Sequence, residues 1–129
     1  MIKDFDEWNN QKKNIHMSKL RPFFHEREIW FASSGINIGF EQNGNGEEFL
    51  RPVIVIKKFN NEIFWGISTT TKNKSGKHYF QLTYKKDRCT TAILSQFKLI
   101  DSKRLRYHIG NVNETDFLEM KKRIISFLE

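Results

Sequence analysis

With only one cysteine, Cys89, the chain can form no internal disulfide, which fits a reducing cytoplasm. Cys89 lacks a neighbouring base and is expected to be a small packed residue rather than a nucleophile. The sequence contains no window of eighteen apolar residues, so no helix is expected to span a membrane. The opening Met1-Ile2-Lys3-Asp4-Phe5-Asp6-Glu7-Trp8 mixes acidic and apolar residues and contains no apolar signal-peptide core. The histidines, His16, His25, His78 and His108, show no paired spacing, so no metal and no other cofactor is expected. Neither a Gly-x-Ser-x-Gly elbow nor a phosphate-loop lysine motif is present. Gly44-Asn45-Gly46 runs into Glu47 and Glu48, which would repel a phosphate, and reads as a flexible turn.

What the chain does have is enough material for one domain with a real core: 129 residues, 12 of them Phe and 3 Trp. Its net charge of +7 is explained equally by a well-solvated surface and by an anionic partner, nucleic acid above all.

Asp4 to about Lys19 has the pattern of an amphipathic helix capped by Asp4, with Glu7 three residues on and Phe5, Trp8 and Ile15 on one stripe. Leu20-Arg21-Pro22 should end it. Residues 1–22 therefore form a helical extension to a domain spanning 27–129. Glu28–Ala32 reads as a first strand, followed by a long loop from Ser33 to Leu50, of the kind that is usually functional or mobile. Leu50–Lys58 and Ile63–Thr71 should form a hairpin around the turn Phe59–Glu62. Lys72–Lys77 is a basic loop and His78–Thr83 another strand. Lys85–Arg88 is a polar connector before two short strands, Thr90–Leu94 and Phe97–Ile100, and Ser102–Leu105 forms one helical turn. Asn113 caps a final helix whose Phe117, Met120, Ile124 and Leu128 make a core stripe. The class is mainly β with terminal helices.

The most informative strand is Leu50-Arg51-Pro52-Val53-Ile54-Val55-Ile56-Lys57-Lys58. Its unbroken β-branched run predicts burial on both faces, and proline is tolerated where the strand opens. Arg51 thus stands at the mouth of a buried strand, beside the hydroxyl run Ser68-Thr69-Thr70-Thr71 and Lys72 at the end of the next one. A planar guanidinium fork with hydroxyls and lysines suits a phosphodiester. RNA can be cut without a metal because its 2′-hydroxyl is an internal nucleophile. Taken locally, an ion pair of Arg51 with Glu47 or Glu48 is the favoured explanation of the arginine.

Four blocks, in order, make the chain resemble the MazF/PemK toxins of bacterial toxin–antitoxin systems, over about Arg27 to Phe127. They are Arg27-Glu28-Ile29-Trp30-Phe31; Gly39-Phe40-Glu41-Gln42; the Arg51 strand; and Ala92-Ile93-Leu94-Ser95-Gln96-Phe97-Lys98-Leu99-Ile100-Asp101-Ser102-Lys103-Arg104-Leu105 with Ile109-Gly110. The resemblance implies an SH3-like β-barrel, a homodimer, and a metal-independent endoribonuclease leaving 2′,3′-cyclic phosphate and 5′-hydroxyl ends. It also implies a cytoplasmic growth inhibitor held inactive by a cognate antitoxin, and contact with promoter DNA only through the antitoxin complex. The family's catalytic pair falls on Arg51 and Thr70. Ser68-Thr69 stand where the family commonly has Pro-Leu, and a slip of one residue would present Thr69 or Thr71 instead. Substrate contacts are expected from Phe40, Glu41, Gln42, Thr71, Lys72 and His78. Phe40 either stacks on a base or anchors the loop; Glu41 and Gln42 either read bases or pin it. The group accepting the 2′-hydroxyl proton is open among Arg51, Glu41, His78 and water. Two other readings stand beside this one: a CcdB-like poison of DNA gyrase on the same barrel, and a non-catalytic barrel that docks RNA or protein.

Overall fold

The computed structural model describes residues 3–35, 37–38, 41, 43–46, 48–85 and 88–129. Two helices flank six strands: α1 (Phe5–Met17), β1 (Glu28–Ser33), β2 (Leu50–Lys58), β3 (Ile63–Thr70), β4 (Tyr79–Lys85), β5 (Arg88–Asp101), a 3₁₀ turn (Ser102–Arg104), β6 (Leu105–Asn111) and α2 (Glu114–Ser126). The strands form one antiparallel sheet in the order β4-β5-β3-β2-β1-β6. The expected barrel is therefore incomplete, because the edge strands β4 and β6 share no ladder among the described residues. They still come close. A Cβ on Gly110 of β6 would lie 2.7 Å from the Tyr84 ring of β4, so only glycine allows that approach.

The curled sheet has two apolar faces. One carries Ile29, Ile54, Ile56, Ile67, Leu82 and Leu94, closed by Phe117 and Met120 of α2. The other carries Trp30, Ala32, Val53, Val55, Phe64 and Ile100, covered by Phe24 from the segment that follows α1. β2 supplies both faces, with Val53 to Ile56 all buried, as its β-branched run predicts. The turn after it is an Asn60 turn, whose Oδ1 accepts from the backbone N–H groups of Glu62 and Ile63.

Asp4 caps α1 through Glu7 N–H at 3.0 Å, and Asn113 caps α2 through Asp116 N–H at 2.8 Å, both as expected. α1 ends before Leu20-Arg21-Pro22, at Met17, where Ser18 turns extended. On its stripe Trp8 and Ile15 are buried but Phe5 is exposed. On α2, Leu128 lies beyond the helix end and is exposed rather than core. The two short strands expected over 90–100 are one long strand, β5, whose register against β3 shifts between Ile67 and Thr69. That bulge breaks the alternation of side chains without ending the pairing. β6 carries the consecutive exposed residues Arg106, Tyr107 and His108 and has no recognisable strand pattern. Cys89 is exposed, 3.6 Å from the Thr83 hydroxyl, not packed as expected.

Candidate active site

Arg51 pairs across the β1–β2 ladder with Ala32, so it projects from the face that carries Trp30, Ala32 and Val53. Its Nε donates to the Asn43 carbonyl at 2.5 Å and its Nη1 to the Thr69 carbonyl at 2.9 Å. Neither acceptor neutralises its charge. Among the described residues Arg51 forms no ion pair with Glu48, whose carboxylate accepts from Tyr107 Oη instead; Glu47 lies outside the described residues. Burial pushes the Arg51 pKa down from its ordinary value, which marks a cation partly stripped of water. The rest of the fork is left for an anion.

The β2–β3 ladder runs Val53↔Ser68, Ile54↔Ile67. Continued by two residues in the same register, it sets Arg51 opposite Thr70. The three threonines of the run then differ. Thr69 is fully buried, pairs with Ala92 and donates to the Pro52 carbonyl, so it belongs to the opposite face. Thr71 lies beyond the end of β3 and is exposed. Thr70 is half-buried, pairs with Thr91, and its hydroxyl accepts from Lys72 N–H at 3.2 Å. Ser68, two residues back on the Arg51 face, has a buried hydroxyl with no hydrogen-bond partner among the described residues.

Two cations that the sequence reading left out of the site belong to this neighbourhood. Lys98 pairs across β5–β3 with Gly66, two residues from Ile100 and so on the same face. Burial, then the nearby charges of Arg104 and Arg51, push the Lys98 pKa down, while Glu41 partly opposes them. Arg104 donates to the Ser33 carbonyl at 3.0 Å, and burial lowers its pKa too, opposed by Asp101. Both residues stand in the family-like stretch from Ala92 to Leu105. The signal was present, but local spacing does not show that β5 and the 3₁₀ turn converge on Arg51.

The remaining expected residues divide. Glu41 caps its own turn, accepting from Ile38 N–H at 2.9 Å, so it pins the loop while facing the Lys98 charge. Phe40 and Gln42 lie outside the described residues. Thr71 is exposed, and lines a pocket of about 750 Å³ with Asn73, Gln81 and Thr83. Lys72 is exposed beside Thr70. His78 is not brought to Arg51: its ring packs on Phe127 at 5.1 Å and lines an apolar groove with Ile56, Leu94 and α2, on the opposite face. No group of three or more metal-ligating side chains occurs among the described residues. Among them, too, no helix is long and apolar enough to cross a membrane.

Comparison with known proteins adds the family. Residues 26–128 match the model of the PemK-like, MazF-like toxins of type II toxin–antitoxin systems. Curated proteins give no sequence match. Among solved structures, the fold is similar to MazF from Deinococcus radiodurans, with a TM-score of 0.66 at 14% identity over 85% of this chain and 98% of that one. A MazE–MazF structure from the same organism gives 0.61 at 14% identity, over 85% and 97%. A mycobacterial endoribonuclease in complex with its cognate antitoxin gives 0.62 at 8% identity, over 82% and 95%.

Proposed function

The chain belongs to the PemK-like, MazF-like toxin family, and within it we propose that this protein is a metal-independent endoribonuclease that cuts single-stranded RNA. The observation that carries the proposal is Arg51: a half-buried guanidinium held by the carbonyls of Asn43 and Thr69, with its charge left for an anion. Lys98 and Arg104 extend the positive field over the same face. The family match and the MazF-like fold support the reading.

In the proposed step the 2′-oxygen attacks phosphorus and the P–O5′ bond breaks. The 2′-hydroxyl gives up its proton and the departing 5′-oxygen gains one, leaving a 2′,3′-cyclic phosphate and a 5′-hydroxyl. Charge on the phosphorane oxygens grows towards the transition state, and donors fixed in advance lower that barrier without reorganising. Arg51 supplies the bidentate charge and Thr70 a directional hydroxyl. Arginine hardly deprotonates, so its part is electrostatic. Thr71 and Lys72 lie at the strand end, where a neighbouring nucleotide would pass.

The biological role follows the family: a cytoplasmic growth inhibitor held inactive by a cognate antitoxin, reaching promoter DNA only in that complex, and working as a homodimer. The apolar groove of about 710 Å³ beneath α2, with Trp65, Phe127 and Leu128 on its walls, is the kind of surface a protein partner covers.

The test is incubation of single-stranded RNA with the protein in EDTA, followed by mapping of the new 5′ ends. Wild type should leave 5′-hydroxyl ends at a short recurring motif, and folded Arg51→Ala should lose at least about a hundredfold in rate, as removal of an oxyanion donor does elsewhere. Equal cutting by the two proteins would rule the assignment out.

A further inference from the structure

α1 lies outside the family match, yet its central side chain touches two supports of the site. Trp8 is 5% exposed. Its ring lies 5.6 Å from the Phe49 ring, and the Arg104 guanidinium sits over it at 5.6 Å. Gly35 approaches so closely that a Cβ there would fall 2.0 Å from the indole; its φ is +76°, which favours glycine in any case. Phe49 has φ +53°, an uncommon conformation for a bulky residue that persists only when its surroundings enforce it. Trp8 packing on its ring supplies part of that enforcement.

From these contacts a short chain of bonds leads to Arg51. The Phe49 carbonyl accepts from Ser34 and Gly35 N–H, and the Gly35 carbonyl accepts from Gly44 N–H at 2.6 Å. Gly44 follows Asn43, whose carbonyl receives Arg51 Nε–H. Asn43 Oδ1 accepts from Asn37 N–H at 2.6 Å and from Lys3 Nζ at 3.5 Å, and Lys3 Nζ also donates to the Asn37 carbonyl. Lys3, which precedes the α1 cap Asp4, thus grips the same loop that Trp8 packs on.

We propose that Trp8 is a positioning residue: by packing on Gly35, Phe49 and Arg104 it fixes the Asn43 carbonyl that orients Arg51 and holds Arg104 over the same face. The proposal rests on the reading of Arg51 as the residue that stabilises the cleavage step. An apolar anchor that does not touch substrate should affect the chemical step more than binding, because misplacement of a catalytic group by about an ångström costs up to about a hundredfold.

The experiment combines cleavage kinetics on a single-stranded RNA oligonucleotide with NMR of the Arg51 Nε–H. Trp8→Ala should lower kcat by roughly tenfold or more with little change in KM, and Trp8→Phe should restore most of the loss. In an Arg51→Ala background Trp8→Ala should cost clearly less than it does in wild type, since residues acting through a shared group are not additive; what remains is the part that runs through Arg104. The Arg51 Nε–H should be protected from exchange in wild type and Trp8→Phe, and lose that protection in Trp8→Ala. Should Trp8→Ala fail to fold, Lys3→Ala, which leaves the core intact, should lower protection in the same direction by a smaller factor. If wild type cuts no RNA, the reading of Arg51 fails, while the protection measurement still decides whether Trp8 positions it. Unchanged protection and unchanged kcat in the folded variants would overturn the proposal, as would a loss confined to KM.

Discussion

The two terminal helices are each thirteen residues long and each is capped by an Asx side chain, but they serve the molecule differently. α2 drives Phe117 and Met120 into the larger core, where Met120 is fully buried among Ile29, Ile54 and Leu94. α1 buries Trp8 and Ile15 in a small satellite cluster with Phe49, over the loop that holds the Arg51 acceptor. One helix completes the fold and the other braces the site. Length, capping and amphipathicity do not separate the two roles. What separates them is the surface each helix covers.

The largest effect on stability should come from the α2 side. Met120→Ala removes a fully buried side chain and should cost about 2–5 kcal/mol in denaturant unfolding, as deletions of this kind do, while cleavage per folded molecule stays near wild type. A fall in specific activity comparable to that of Trp8→Ala would erase the distinction between the helices.

On the site face the expected direction is opposite. Lys98 is a half-buried cation whose pKa is pushed down first by burial and then by Arg104 and Arg51, so holding its charge there disfavours the folded state at neutral pH. Lys98→Met should match or exceed wild type in Tm and bind single-stranded RNA less tightly, a trade of function for stability. The sign with pH follows from the lowered value. The stability difference between the two proteins should persist below the folded pKa and fade as pH rises through it towards the ordinary lysine value of 10.5. Thermal scans at several alkaline pH values check this, and a difference that grew with pH would contradict the assigned cause.

Smaller still, and sharper for register, is the contrast between two hydroxyls. Thr70→Val should slow cleavage, whereas Thr69→Val should leave the rate near wild type and lower Tm through loss of its bond to the Pro52 carbonyl. The reverse result would place the functional hydroxyl on the other face of β3.

Much of the fold was readable because it rests on local rules. Asp4 and Asn113 are capping residues at the required spacing, and the β-branched run of β2 has no polar face to expose. β5 was split in two because its bulge near Gln96 interrupts the alternation, and continuity there comes from pairing with β3, a tertiary property. β6 escaped because its side chains are largely exposed. In the candidate site, Arg51 stands out in the sequence through Pro52 behind it and through the family block. Lys98 and Arg104 were not, because their convergence depends on the register between β5 and β3 and on the 3₁₀ turn after β5. The Asn43 acceptor could not have been read at all, since a backbone carbonyl is present at every position.

The central claim is that the Arg51 fork, and not merely positive charge, stabilises the step. The measurement that tests it most directly is single-turnover RNA cleavage by Arg51→Lys beside wild type, in EDTA and with both proteins shown to be folded. Lysine keeps the charge but lacks the planar pair of donors, and the rate should fall by roughly tenfold or more, which is about 1.4 kcal/mol or more of transition-state stabilisation. An Arg51→Lys protein that cuts as fast as wild type would contradict the claim.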